Sequence, residues 1–189
     1  MLARLLDQRG EPEPIGPRGD HYAALVRAIV GQQLSTRAAR AIHGRLLERF
    51  GGHPPSPAEV LAADPDEMRV AAGLSHAKTR SLRSLAEHVA SGQLELDRLD
   101  ALDDDEVMAD LVAVKGIGAW SAHIFLMFQL GRPDVLAVGD LGIRRAAQRA
   151  YGLAEMPSPA ELTALGEPWR PYRTAACVLL WRSLDNAPV

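Results

Sequence analysis

The chain has 189 residues, 47% of them hydrophobic, and a formal net charge of −3, which suits one good-sized domain or two small lobes with a buried core. A single cysteine, Cys177, excludes an internal disulfide and any cysteine-ligated zinc or iron–sulfur centre. No run reaches the roughly 18 uninterrupted apolar residues of a membrane span, and Met1 to Gly10 mixes charges among its apolar residues; a soluble, cytoplasmic, monomeric protein without membrane contact is expected.

A net negative charge argues against a polyanionic partner, but the average hides an asymmetry. Residues 95–110 carry 8 acidic residues against Arg98 alone, leaving 20 basic to 16 acidic residues elsewhere. Those cations cluster at Lys78, Arg80 and Arg83 and again at Arg144, Arg145 and Arg149. Each cluster is either a basic binding surface or a solvated helix face.

Punctuation is helical almost throughout. The proline-rich Glu11 to Gly19 is expected to be an irregular connection. Asp20 precedes Leu25, Val26, Ile29 and Val30 at helical spacing, and a second helix runs from near Ser35 or Thr36 to Gly51-Gly52. Ser56-Pro57-Ala58-Glu59, Asp64-Pro65-Asp66-Glu67 and Ser158-Pro159-Ala160-Glu161 each place a cap, a proline at the first helical position and a glutamate at the third. Gly73, Gly92, Gly131 and Gly152 end apolar-periodic stretches. The last such stretch, Ala175 to Trp181, encloses Cys177 as buried filler. An all-α fold of roughly ten short helices follows.

Between two helical segments lies Val114-Lys115-Gly116-Ile117-Gly118-Ala119-Trp120. A Gly-x-Gly turn tight enough to reverse a helix uses glycine for positive φ and close approach, with Ile117 held beneath. Its amides would point at the start of the next helix, where backbone N–H groups bind phosphate without side-chain charge. An ordinary helical hairpin is the alternative. After the helix from Trp120 to Leu130, the apolar extended stretch up to Gly139 delivers Asp140 to the head of a helix beginning near Leu141. By itself Asp140 reads as an N-cap.

Taken together, Ala28-Ile29-Val30-Gly31-Gln32-Gln33-Leu34-Ser35, Gly116-Ile117-Gly118-Ala119-Trp120-Ser121-Ala122 and Glu167-Pro168-Trp169-Arg170-Pro171-Tyr172-Arg173, with an aspartate about two dozen residues beyond the hairpin, resemble the helix-hairpin-helix (HhH-GPD) DNA glycosylase superfamily. Within it they are most similar to the 3-methyladenine DNA glycosylase II (AlkA-like) branch. The resemblance spans nearly the whole chain and implies two helical lobes flanking a cleft. Residues 30–134 would form the lobe carrying the helix-hairpin-helix (about 106–130). Residues 1–29 and 135–189 would form the lobe carrying the catalytic aspartate, in a compact form without the extra N-terminal β-domain of some members.

The implied activity is hydrolysis of the N-glycosidic bond of alkylated bases in double-stranded DNA, in base excision repair, with Asp140 catalytic. Where lyase-type members carry an attacking lysine, this chain has Trp120, so strand cleavage is not expected. Trp120, Trp181 and Ile124 are the candidate walls of the base pocket, the tryptophans alternatively being core residues. Gln33 matches the position that fills the space left by a flipped nucleotide; Gln32, or a capping role for the pair, is the alternative. Lys115, Gly116, Ile117, Gly118, Ala119 and Arg144 are the candidate phosphate contacts. No cofactor is required, although the family implies a monovalent cation on hairpin carbonyls such as those of Val114 and Ile117. His123 and Ile124 stand where better-known members carry a polar and an aromatic residue, so the substrate range is open. In a bacterium the protein would be nucleoid-associated. A glycosylase for other damaged or mismatched bases, and a non-catalytic helix-hairpin-helix DNA-binding module, are the competing readings; an anion facing phosphates would not help a pure binder.

Overall fold

The computed structural model describes residues 2–10, 12, 16 and 19–184, and the Glu11 to Gly19 connection falls largely outside them. Among the described residues there is no strand. The chain forms α1 (Leu2–Arg9), α2 (His21–Gly31), α3 (Thr36–Arg49), α4 (Pro57–Ala62), α5 (Pro65–Ala72), α6 (His76–Ala90), α7 (Asp104–Ala113), α8 (Ala119–Phe128), α9 (Leu141–Tyr151), α10 (Pro159–Gly166) and α11 (Arg173–Ser183), with 3-10 turns at Leu96–Arg98 and Glu167–Trp169. The expected all-α class holds.

The helix starts follow local capping chemistry. Asp20, Ser35 and Ser75 accept from the amides of Ala23, Ala38 and Lys78. Ser56 with Glu59 and Ser158 with Glu161 form reciprocal capping boxes behind N-terminal prolines. Asp64 departs from that pattern: its carboxylate alone takes both the Asp66 and Glu67 amides, while Glu67 reaches Arg49 at 3.5 Å. A further box, Asp103 with Glu106, opens α7 inside the acidic segment. That explains part of the local excess of carboxylates, since anions at a helix N-terminus are favoured by its dipole.

The chain divides into two compact units, residues 18–125 and residues 1–17 with 126–189. In the first, α2 packs on α3 and α6, α3 on α5, and α4 and α5 on α6. Leu25, Val26, Ile29, Val30, Leu46, Met68, Leu82, Leu85 and Leu111 are buried there, each large side chain contributing about 1.5–3 kcal/mol by leaving water. In the second, α11 packs on α1 and α9, and α9 on α10, around Met127, Ile143, Ala146, Ala147, Leu179 and Leu180. These units meet at 17/18 and 125/126, whereas the lobes implied by the resemblance divide at 29/30 and 134/135. Helix α2 goes with the hairpin-bearing unit because its apolar face is covered by α3 and α6.

Candidate active site

In the first unit the hairpin between α7 and α8 sits on α6. Gly116 has φ +91°, and a Cβ there would run into the Ser81 hydroxyl and Cβ. The Lys115 amide donates to Ser84 Oγ at 3.1 Å. Two serines one helical turn apart on α6 thus form the seat. Ile117, 4% exposed, is the apolar pin expected beneath the turn.

Gly118 behaves differently. Its φ is not positive, and a Cβ there would meet nothing within 4 Å. The expectation that both glycines serve the turn itself is therefore corrected: only Gly116 does, because only there is φ positive and the Cβ position blocked by α6. Gly118 opens space outside the fold, directly before α8. The first amides of a helix lack intrahelical partners, and Ala119 and Trp120 are exposed at this end, as is Lys115 on the turn. The arrangement can hold an anion.

Gln32 donates from Nε2 to the Gly116 carbonyl at 2.9 Å and to Ser121 Oγ at 3.2 Å. It is turned inward on the hairpin. Gln33 is exposed and has φ +56°, a left-handed conformation uncommon for a residue other than glycine. The Leu34 amide donates to Gly31 O at 3.3 Å, so residues 31–34 form a tight turn with Gln33 at its tip. Ser35, rather than either glutamine, caps α3.

Trp120, 44% exposed, stands in the first turn of α8. Half-buried Ile124 is one turn further along the same face. His123 is also half-buried, and burial pulls its pKa below the usual histidine value, which keeps the ring neutral near pH 7.

In the second unit, Asp140 caps α9 and is 9% exposed. Two donors converge on its Oδ1, the Ile143 amide at 2.7 Å and Trp181 Nε1 at 2.9 Å. A buried carboxylate is costly unless hydrogen-bonded, so these donors hold it in place as well as satisfy it. Trp181, a candidate pocket wall, is only 2% exposed, with its ring stacked on Phe128 at 6.1 Å between centroids; its placement supports the carboxylate. At Gly142, a Cβ would stand 3.0 Å from Asp140 Oδ1 and 3.2 Å from Trp181 Cδ1.

The segment that delivers Asp140 is gripped by one face of α11. Arg173 Nε and Nη2 donate to the Asp134 carboxylate at 2.7 and 3.0 Å. Thr174 Oγ1 donates to Arg132 O at 2.6 Å and accepts the Val135 amide at 3.1 Å. Cys177 Sγ reaches Val135 O at 3.7 Å, and Trp181 then meets Asp140. Arg170 adds a 2.6 Å pair to Asp134. Burial raises the Asp134 pKa, but the hydrogen bonds and charge of Arg173, with the charge of Arg170, outweigh it and hold the carboxyl below its usual value. Burial, with the Asp140 charge adding to it, pushes the Cys177 thiol up to about 12, so this cysteine is an inert core group. None of this clamp except the Asp140 cap was visible as chemistry in the sequence. The signal available was Arg173, Thr174, Cys177 and Trp181 recurring at helical spacing in α11.

Arg144, a candidate phosphate contact, donates from Nε to Pro157 O at 2.7 Å within its own unit. Arg145 beside it is exposed. For the implied cation, the hairpin offers neutral carbonyls: Val114 O accepts the Ile117 amide at 3.0 Å, and a carbonyl has a second lone pair. Among the described residues no group of three or more His, Cys, Asp or Glu is placed to hold a metal ion. The Val114 and Ile117 carbonyls fit a hard monovalent ion in donor type.

Comparison with known proteins places these features in a family. A model described as the HhH-GPD superfamily base excision DNA repair protein matches residues 26–171. DNA-3-methyladenine glycosylase 1 of Schizosaccharomyces pombe is 35% identical over 164 residues, covering 86% of this chain and 72% of that protein. The crystal structure of a DNA-3-methyladenine glycosidase from Bacillus halodurans superposes with a TM-score of 0.86 at 38% identity, over 96% of this chain and 83% of the other. A 3-methyladenine DNA glycosylase of S. pombe, solved in complex with abasic-DNA, gives 0.85 at 33% identity, over 97% and 90%. The chain belongs to the HhH-GPD superfamily of base excision DNA repair proteins.

Proposed function

We propose that the protein is a monofunctional DNA glycosylase that hydrolyses the N-glycosidic bond of alkylated purines in duplex DNA and leaves an abasic site. The observation that carries the reading is Asp140: a buried carboxylate fixed by two donors on one oxygen, in a chain whose relatives are named 3-methyladenine glycosylases.

Alkylation at a ring nitrogen makes the base cationic and a good leaving group. As the C1′–N bond breaks, its electron pair goes to the base, which departs neutral, and positive charge develops on the sugar. A preorganised carboxylate stabilises that charge electrostatically. Water then bonds to C1′ and gives up a proton, for which Asp140 can serve as base. Trp120 cannot form a Schiff base, so no covalent sugar adduct or strand cleavage is expected. Trp120 and Ile124 would line the base pocket, where an electron-rich ring favours a cationic base.

The α8 N-terminus, opened by Gly118, would take a phosphate, and a cation on Val114 and Ile117 would add positive charge there. Lys115 and Ala119 belong to the same surface. This backbone contact answers the objection raised by the net charge of −3. Gln33, exposed at the tip of its turn, would fill the space left by the flipped nucleotide. Among the described residues no helix is long and apolar enough to cross a membrane; a repair activity would bring the chain to chromosomal DNA, in the cytoplasm of a bacterial cell.

The test is base release from methylated duplex by the wild type and by Asp140→Asn. Asparagine retains the oxygen that caps α9 and accepts from Trp181 but removes the charge. Methylated purines should be released by the wild type and not by the variant, and borohydride should trap no covalent complex. A wild type that releases no base, or an equally active variant, would overturn the assignment.

A further inference from the structure

Gln32 precedes Gln33 and shares no part of the proposed chemistry, yet its side-chain amide makes two hydrogen bonds within its unit. Its amide nitrogen has two hydrogens, and both find acceptors on opposite sides of the hairpin: the Gly116 carbonyl in the turn, at 2.9 Å, and Ser121 Oγ in the first turn of α8, at 3.2 Å. Its backbone, at φ −51° and ψ 133°, with Gln33 at φ +56° and the Leu34 amide on Gly31 O, has the pattern of a type II turn, in which the second central residue takes positive φ. Gln32 is the first central residue of that turn and Gln33 the second. At the other end, Lys78 Nζ donates to Val30 O at 2.7 Å, anchoring the helix that leads into the turn. The tip therefore has little freedom relative to α2, and its one side-chain tether to the hairpin among these contacts is Gln32.

We infer that Gln32 is a positioning residue that sets the register between the phosphate-binding hairpin and the Gln33 turn, so that it governs extrusion of the damaged nucleotide separately from backbone binding and bond cleavage. The inference rests on the glycosylase reading and on Gln33 as the residue that fills the duplex. The tether is electrically neutral and short, and both acceptors belong to the element that would hold the DNA backbone. A phosphate seated at the head of α8 and a side chain inserted into the stack are then held at a fixed separation, which matches what flipping a nucleotide requires. Removing the tether leaves the hairpin seated on Ser81 and Ser84 and leaves Asp140 in the other unit untouched.

The test compares single-turnover base release from two methylated substrates. In one the lesion is paired in duplex; in the other it lies in a short mismatched bubble and is already unpaired. Affinity for undamaged duplex is measured alongside. Gln32→Ala, and Gln32→Met as the uncharged variant of similar length lacking the N–H donors, should lower the ratio of the paired to the unpaired rate about tenfold, the scale of two lost hydrogen bonds. Affinity for undamaged duplex should change by less than about twofold, since the phosphate contacts that dominate it remain. If both rates fall together with an unchanged ratio, or undamaged-duplex affinity is lost in proportion, Gln32 merely supports the fold and the inference is wrong. Failure of the wild type on both substrates would instead overturn the glycosylase reading, so the two failures are distinguishable.

Discussion

Alanine at Gly142 should separate activity from stability. The residue is the second of α9, where replacing glycine by alanine ordinarily stabilises a helix by about 0.5–1 kcal/mol. Here the new Cβ would stand 3.0 Å from Asp140 Oδ1 and 3.2 and 3.3 Å from Trp181 Cδ1 and Nε1, all inside the 3.4 Å at which ordinary contact begins. The carboxylate and the indole must each give way by a few tenths of an ångström. They cannot do so independently, because Trp181 Nε1 donates to the same oxygen at 2.9 Å. Reacting groups misplaced by about 1 Å cost on the order of a hundredfold in rate, so a shift of this size should cost about tenfold. The strain and the helical gain oppose each other, and one kcal/mol corresponds to about 2–4 °C at this chain length. The expected outcome is single-turnover base release slowed about tenfold with a melting temperature within about 4 °C of wild type. Wild-type rate at unchanged melting temperature would show that the missing Cβ has no role in placing Asp140. A large fall in melting temperature would show that the helix cannot accommodate the change at all.

The two hairpin glycines should respond oppositely to alanine. Gly116→Ala meets positive φ and Ser81, and should destabilise by more than about 1 kcal/mol, read by chemical denaturation. Gly118→Ala meets nothing in the fold, so stability should hold while affinity for undamaged duplex falls; unchanged affinity would remove this turn from the DNA interface. The Asp134 clamp predicts a pH dependence. Its folded carboxyl lies below the ordinary aspartate value of about 3.9, so its stabilisation is complete above about pH 4 and is lost as pH falls through the lower folded value. Wild type and Arg173→Ala should therefore differ most in urea midpoint above about pH 4 and converge, though not fully, below it. Arg173 keeps its bond to the Asp134 carbonyl at 2.7 Å, which does not titrate. A difference independent of pH would contradict the clamp.

The sequence by itself determined what is local. Caps lie within three residues of the amides they satisfy, and the apolar period of a helix repeats within one turn, so α2, α3, α4, α5 and α10 could be placed before any coordinates. Asp140 was legible for the same reason: it is the N-cap it resembled, and that capping position is what fixes the carboxylate proposed to be catalytic. Tertiary structure alone decided which side chains meet across the chain. Trp181 reaches Asp140 from 41 residues away, Arg173 reaches Asp134 from 39, and Gln32 reaches Gly116 from 84. Spacing along one helix can show that Arg173 and Trp181 share a face of α11, but not what that face meets, because the partner depends on how distant segments pack together. For that reason the sequence could not show that Trp181, a candidate pocket wall, donates to the carboxylate, that Arg144, a candidate phosphate contact, holds Pro157 O through Nε, or that of the two hairpin glycines only Gly116 lies where a Cβ would strike α6.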